Sequence, residues 1–217
     1  ELPVVDENLF ALLLTNGYDL FLLVIVRIWM GSGLVARDRK EGTLEVFLGR
    51  AITPLQYLWA KGAALAVFLL IFSLAPAVML VVFQVGLTGQ VSWLWEHHRV
   101  LWGTVLYTLV GTGSLVLFML ALSSLGRSPR LVGLTFFGIV FLGSSASGIV
   151  YAITRNTLAW LPSITAQLKV LARLCVGAEL EEKLAVPALL NVAFFFFLAV
   201  GSLLLLSWRF ARRGVLR

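Results

Sequence analysis

The sequence predicts an all-α polytopic membrane protein, and three observations carry that class. Hydrophobic residues make up 60% and charged residues 13% of the 217 positions, at a mean hydropathy of +0.97. A soluble domain carries about 25% charged and about 45–50% apolar residues. The excess is gathered into runs long enough to cross about 30 Å of hydrocarbon, which takes roughly 20 residues of helix. The basic residues collect at the ends of those runs. The net charge of +6 therefore reads as a topology signal rather than as a nucleic-acid footprint.

Five runs qualify as spans within one domain, 1–217: about Asp19–Val35, Gly62–Leu87, Val100–Leu122, Leu131–Ile153 and Pro187–Trp208. The start, Glu1 to Glu7, is acidic, the reverse of the basic n-region of a signal peptide. The first span carries Arg27 at its middle, where a charge costs about 3 kcal/mol on insertion scales. Asp19 is the only acid in that span. Arg27 is thus either a pathway or dimer-interface residue, or a charge that pairs or snorkels.

Between the first two spans, residues 36–61 form a charged segment with helix punctuation of its own. Asp38 and Glu41 have capping-box spacing. Leu44, Phe47, Leu48 and Ala51 follow at i, i+3, i+4 and i+7, an apolar stripe. Thr53-Pro54-Leu55-Gln56 then repeats the start signal, with Thr53 as cap and Pro54 at the first helical position. The expectation is a short amphipathic helix, a break, and a new helix that runs through Lys61 into the second span.

Trp93, Trp95 and Trp102 bracket the loop before the third span as interfacial anchors. The adjacent His97 and His98 beside Glu96 lack the i, i+4 geometry of a zinc helix, and no metal site is expected. In the fourth span Gly133, Gly138, Gly143, Ser144, Ser145, Ser147 and Gly148 favour close helix packing, as do Gly111 to Ser114 in the third. Gln84 and Asn191 are placed to hydrogen-bond between helices. The single cysteine, Cys175, reads as a small apolar residue.

Leu158–Val176 competes as a sixth span. Pro162, Gln167, Lys169 and Arg173 would each be costly in lipid. Trp160, Ile164, Leu168, Leu171 and Cys175 fall on one helical face. The segment 157–183 is therefore expected to hold an amphipathic helix on the outer surface, or capping a cavity.

Loop charge orients the chain. Residues 36–61, Arg127 and Arg130, and the tail after Trp208 together hold eleven basic residues against Asp38, Glu41 and Glu45. The alternate loops hold Arg99, Arg155, Lys169, Arg173 and Lys183 against eight acids. The positive-inside rule places the first set, with the C-terminus, in the cytoplasm. Five spans then leave the first residue outside, and the chain begins with Glu rather than Met, so a further helix upstream is expected.

Ala36-Arg37-Asp38-Arg39-Lys40-Glu41-Gly42-Thr43-Leu44-Glu45, then Arg50, Thr53-Pro54 and Lys61, resemble the permease subunits of type-2 ATP-binding-cassette (ABC) transporters. In that family such a cluster joins the second and third spans as a coupling helix seated in a groove of the cytoplasmic ATPase. The resemblance implies six spans, with the family's first absent from this chain, in a prokaryotic cytoplasmic (inner) membrane. It implies that Asp38, Arg39, Glu41, Gly42, Thr43, Leu44 and Glu45 meet the ATPase. Its implied partners are that ATPase, a second permease copy or paralogue, and membrane lipids. No cofactor is expected on this chain, because ATP and Mg would sit on the partner; no G-x-x-x-x-G-K-[ST] motif occurs. The alternatives are an ion-coupled carrier or channel using Arg27, and an integral membrane enzyme, for which the spans hold almost no ionisable groups.

Overall fold

In the computed structural model the described residues are 17–42, 53–89, 95, 97–126 and 128–211, and the side chains of 17–23, 39, 54, 55, 84, 87, 88, 210 and 211 lie outside that set. The ordered elements are helices: α1 Gly17–Gly31, α2 Ala36–Lys40, α3 Pro54–Thr88, α4 His98–Leu125, α5 Pro129–Thr154, α6 Ile164–Val176 and α7 Ala188–Ala211, with 3-10 turns at Thr157–Trp160 and Glu182–Leu184. Among the described residues four helices, α3, α4, α5 and α7, are long and apolar enough to cross a membrane. The chain is an all-helical, multi-pass membrane protein.

The first expected span differs. Its described helix ends at Gly31, not Val35, and the residues before Gly17 lie outside the described set. The chain turns through Ser32–Val35 because a neighbouring hydroxyl takes up the freed backbone. Ser123 on α4 accepts from Val35 N at 3.0 Å and Ala36 N at 3.1 Å, and donates to Ser32 O at 3.2 Å. That hydroxyl is used to capacity, and the helix break stays satisfied although buried.

The helix start at Thr53 is as expected. Its Oγ1 accepts from Gln56 N at 3.3 Å, Gln56 Oε1 accepts from Thr53 N at 3.0 Å, and Pro54 opens the helix. From there α3 runs 35 residues, about 52 Å of helix. Pro76 lies inside it and removes the donor that would reach the Phe72 carbonyl.

Helix α4 is the centre. More than half of its apolar window, 56%, is buried, against 17–22% for the other three candidate spans. The others present their apolar side chains outward, as with Ile71, Val82, Leu142 and Phe197, which suits lipid rather than water. Exposed Trp59 and Trp208 lie toward one end of the bundle, Trp95 and Trp102 toward the other, the pattern of two interfacial belts.

The segment after α5 departs most from expectation. Rather than lying on the surface, it folds back into the bundle. Ser128 and Pro129 start α5, which ends with Arg155 at φ 54. Asn156 caps the 3-10 turn, and Ser163 caps α6. A Cβ added at Gly143 would stand 3.0 Å from the Pro162 carbonyl oxygen. Pro162 therefore sits about 16 Å below the end of α5 at Thr154, at 1.5 Å per residue.

From that depth α6 climbs back antiparallel to α4. Leu168 reaches Gly111, and the Cys175 backbone reaches Gly103. This is a re-entrant hairpin, with Ile164, Leu168 and Leu171 buried in the same cluster as Tyr107, Leu115, Phe136 and Phe195. The expectation of a surface helix fails because the glycines of α4 and α5 admit the backbone.

Candidate functional site

Two sets of polar groups interrupt the apolar bundle at places where function would show, one at the end carrying α2 and one in the interior. At that end α2 and the foot of α3 are clamped together. Lys61 Nζ lies 2.9 Å from Asp38 Oδ2, and the Tyr57 hydroxyl donates to the same carboxylate oxygen. Lys61 also stands 5.9 Å over the Tyr57 ring, a cation–π approach. Both side chains project from one face of α3 because they are four residues apart.

Asp38 was expected as a helix cap; it lies instead inside α2. Its carboxylate meets Lys61, a partly buried cation. Glu41 likewise does not reach back to a cap. Its Oε1 accepts from Arg37 Nε at 2.9 Å, an i, i+4 pair with both side chains exposed. The hydrogen bond first, and the carboxylate charge second, raise the Arg37 guanidinium above its ordinary pKa. Screening leaves such a surface pair little weight in stability.

Gly42 ends the described stretch at φ +73, a left-handed conformation that suits glycine. Arg39 lies in α2, with its side chain outside the described set. Thr43, Leu44, Glu45 and the stripe to Ala51 lie outside the described residues. What stands is a root. Residues 43–52 lie outside the described set; the flank before them is tied by Ser123 and Asp38, and Thr53 after them opens α3 with its capping box.

In the interior, Arg27 is 3% exposed on the α1 face that also buries Val24 and Gly31. Its Nε and Nη1 have no hydrogen-bond partner. Tyr107 on α4 is close enough to act on it electrostatically. Asp19, the acid considered as its partner, has its side chain outside the described set.

Around the hairpin, polar side chains close on one another. Gln167, fully buried, donates from Nε2 to Trp160 O at 3.1 Å, and Asn191 Nδ2 donates to Gln167 O at 2.9 Å and Oε1 at 2.7 Å. Ser144 Oγ meets Ser163 Oγ at 3.2 Å and Thr165 Oγ1 at 2.8 Å. Arg173 at the outer end pairs with Glu181 and donates to Glu179 O.

Asn191 thus bonds between elements as its position suggested, whereas the Gln84 side chain lies outside the described set. Of the small residues of α5, Gly143 faces Pro162 and Gly148 faces Trp160 in the hairpin and Gly133 faces Ile28 of α1, whereas Gly138 has nothing within 4 Å. In the Glu96-His97-His98 stretch, His98 Nδ1 lies 2.9 Å from Trp95 O.

Tyr57 and Ser123 were not singled out by sequence. The first was legible as an aromatic four residues before Lys61. The second is one serine among several at a helix end, and only the fold gives it a partner. Against this geometry, comparison with family models, curated proteins and solved structures finds no match.

Proposed function

We propose that this chain is the membrane-spanning permease subunit of an ABC exporter, working as a dimer with two separate ATPase subunits. The observation that carries the reading is the rooted segment between Gly42 and Thr53. A segment whose flanks are tied to the central helix and to the foot of α3 would pass a displacement into the bundle rather than absorb it. The sequence of that segment resembles the family's coupling helix, with Asp38, Arg39, Glu41, Gly42, Thr43, Leu44 and Glu45 facing the ATPase. Charges at such a contact set register and partner choice more than affinity. ATP closure of the partners would push the segment and tilt α1, α3 and α4 as bodies, an alternating-access motion.

The test is co-expression with an ATPase encoded beside it, followed by ATPase and transport assays in proteoliposomes. The Glu41→Lys, Glu45→Lys double variant is expected to lower ATP-driven transport at least tenfold while its helical circular dichroism is unchanged. Unaltered co-purification and activity in that variant would sink the reading. A second reading, an ion-coupled carrier or channel, is favoured by the unpartnered Arg27; ATP-independent ion flux through the purified chain alone would select it.

A further inference from the structure

Among the described residues Arg27 is a buried charged side chain with donors left unsatisfied. Two of its three guanidinium nitrogens lack a partner, and among the described residues no carboxylate pairs with it. A permanent charge in this position is costly in hydrocarbon and is a functional-site hypothesis by default. The guanidinium cannot escape the cost by deprotonating, because Arg stays charged in proteins. The fold is closely packed on both sides of its position, at its own helix and at Tyr107, its electrostatic neighbour. On one side Gly31, one turn along α1, packs on Met119 and Leu65. On the other, Tyr107 packs with Leu168 and Leu171 around Gly111, at the deep end of the hairpin.

The opposite face of α1 exposes Ile25 and Trp29. One helix thickness therefore separates Arg27 from lipid. Guanidinium geometry matches planar or tetrahedral oxyanions, with donors in a fixed fork. A ligand that answers all these features carries an anionic oxygen group on an apolar body and arrives through the membrane.

We propose that Arg27 is the binding point for the phosphate or carboxylate group of an anionic amphiphile presented from the bilayer. This deepens the export reading by naming a cargo class, and rests on that reading for the fate of the ligand but not for its binding.

The experiment uses the full chain in a neutral maltoside detergent, with thermal unfolding followed by tryptophan fluorescence. Phosphatidylglycerol, phosphatidylcholine and inorganic phosphate are added separately to the wild type and to Arg27→Met, Arg27→Lys and Arg27→Gln. Phosphatidylglycerol is expected to raise the wild-type midpoint by several degrees, with no response to the other two. Arg27→Met is expected to melt higher than wild type without lipid, since it removes an unpaired charge, and to lose the phosphatidylglycerol response. Arg27→Lys should keep part of it. An equal response in wild type, Arg27→Met and Arg27→Gln overturns the proposal, as does a lower midpoint for Arg27→Met with no lipid response in wild type. A shift of equal size with inorganic phosphate overturns the membrane-borne source. No ATPase enters this measurement, so its failure leaves the coupling reading standing, and failure of coupling leaves this one standing.

Discussion

Ser123 shows how much one hydroxyl decides in a membrane fold. Water is not at hand to satisfy a broken helix there, so the turn at Ser32–Val35 exists only where a side chain accepts its two amides. Removing the acceptor strands two buried N–H groups, each costing about 1–3 kcal/mol. Ser123→Ala is therefore expected to destabilise the purified protein by about 2–4 kcal/mol in denaturant titrations in micelles. Ser207→Ala, whose exposed hydroxyl only bonds back to Leu204 O, should change it by less than about 0.5 kcal/mol. Equal losses in the two variants would contradict the account. At this scale the sequence named the charges Asp38, Glu41, Lys61 and Arg27 correctly as unusual. For Asp38 and Glu41 it expected capping contacts where the fold shows Lys61 and Arg37, because partner choice depends on which groups lie opposite.

The hairpin is where element-level reasoning met its limit. Periodicity marked an apolar face at Ile164, Leu168 and Leu171, and that face is buried. What periodicity lacks is depth. Whether an amphipathic helix rests on headgroups or enters the bundle depends on room between neighbours, and Gly103, Gly111 and Gly143 supply it. A Cβ at Gly103 would sit 2.1 Å from the Cys175 carbonyl oxygen, a backbone atom with no rotamer to move. Gly103→Ala should therefore displace the end of α6 and cost about 2 kcal/mol or more. Gly113→Ala, with nothing within 4 Å, should gain about 0.5–1 kcal/mol from helix propensity. Thermal unfolding midpoints of the two variants, falling for one and rising for the other, check this; the same sign in both would refute it.

For the whole molecule, loop charge and the fold agree on which ends lie together. The clamp at Asp38 and Lys61 and the end of α4 share one end, while the hairpin mouth at Val176 and the start of α4 at Val100 share the other. Placing the first end in the cytoplasm remains an expectation of the positive-inside rule. In a Cys175→Ala background, Glu182→Cys is expected to react with a membrane-impermeant maleimide in intact cells. Glu41→Cys should react only after permeabilisation. Labelling of both from outside would mean that the segment from Leu158 to Val176 crosses the bilayer.

Composition and the length of apolar runs determined by themselves that this chain is a multi-pass helical protein. They also located α4, α5 and α7 within about three residues and the far end of α3, because hydrocarbon leaves the backbone no other way to satisfy its hydrogen bonds. Local chemistry determined the start of α3 at Thr53, since a capping box involves only neighbours in sequence. The tertiary structure alone decided that the first helix breaks at Gly31, that Asp38 binds Lys61 and Tyr57, that α6 enters the bundle, and that Arg27 is buried with donors to spare. Each of these depends on a group distant in the chain, and hydropathy does not record which faces meet.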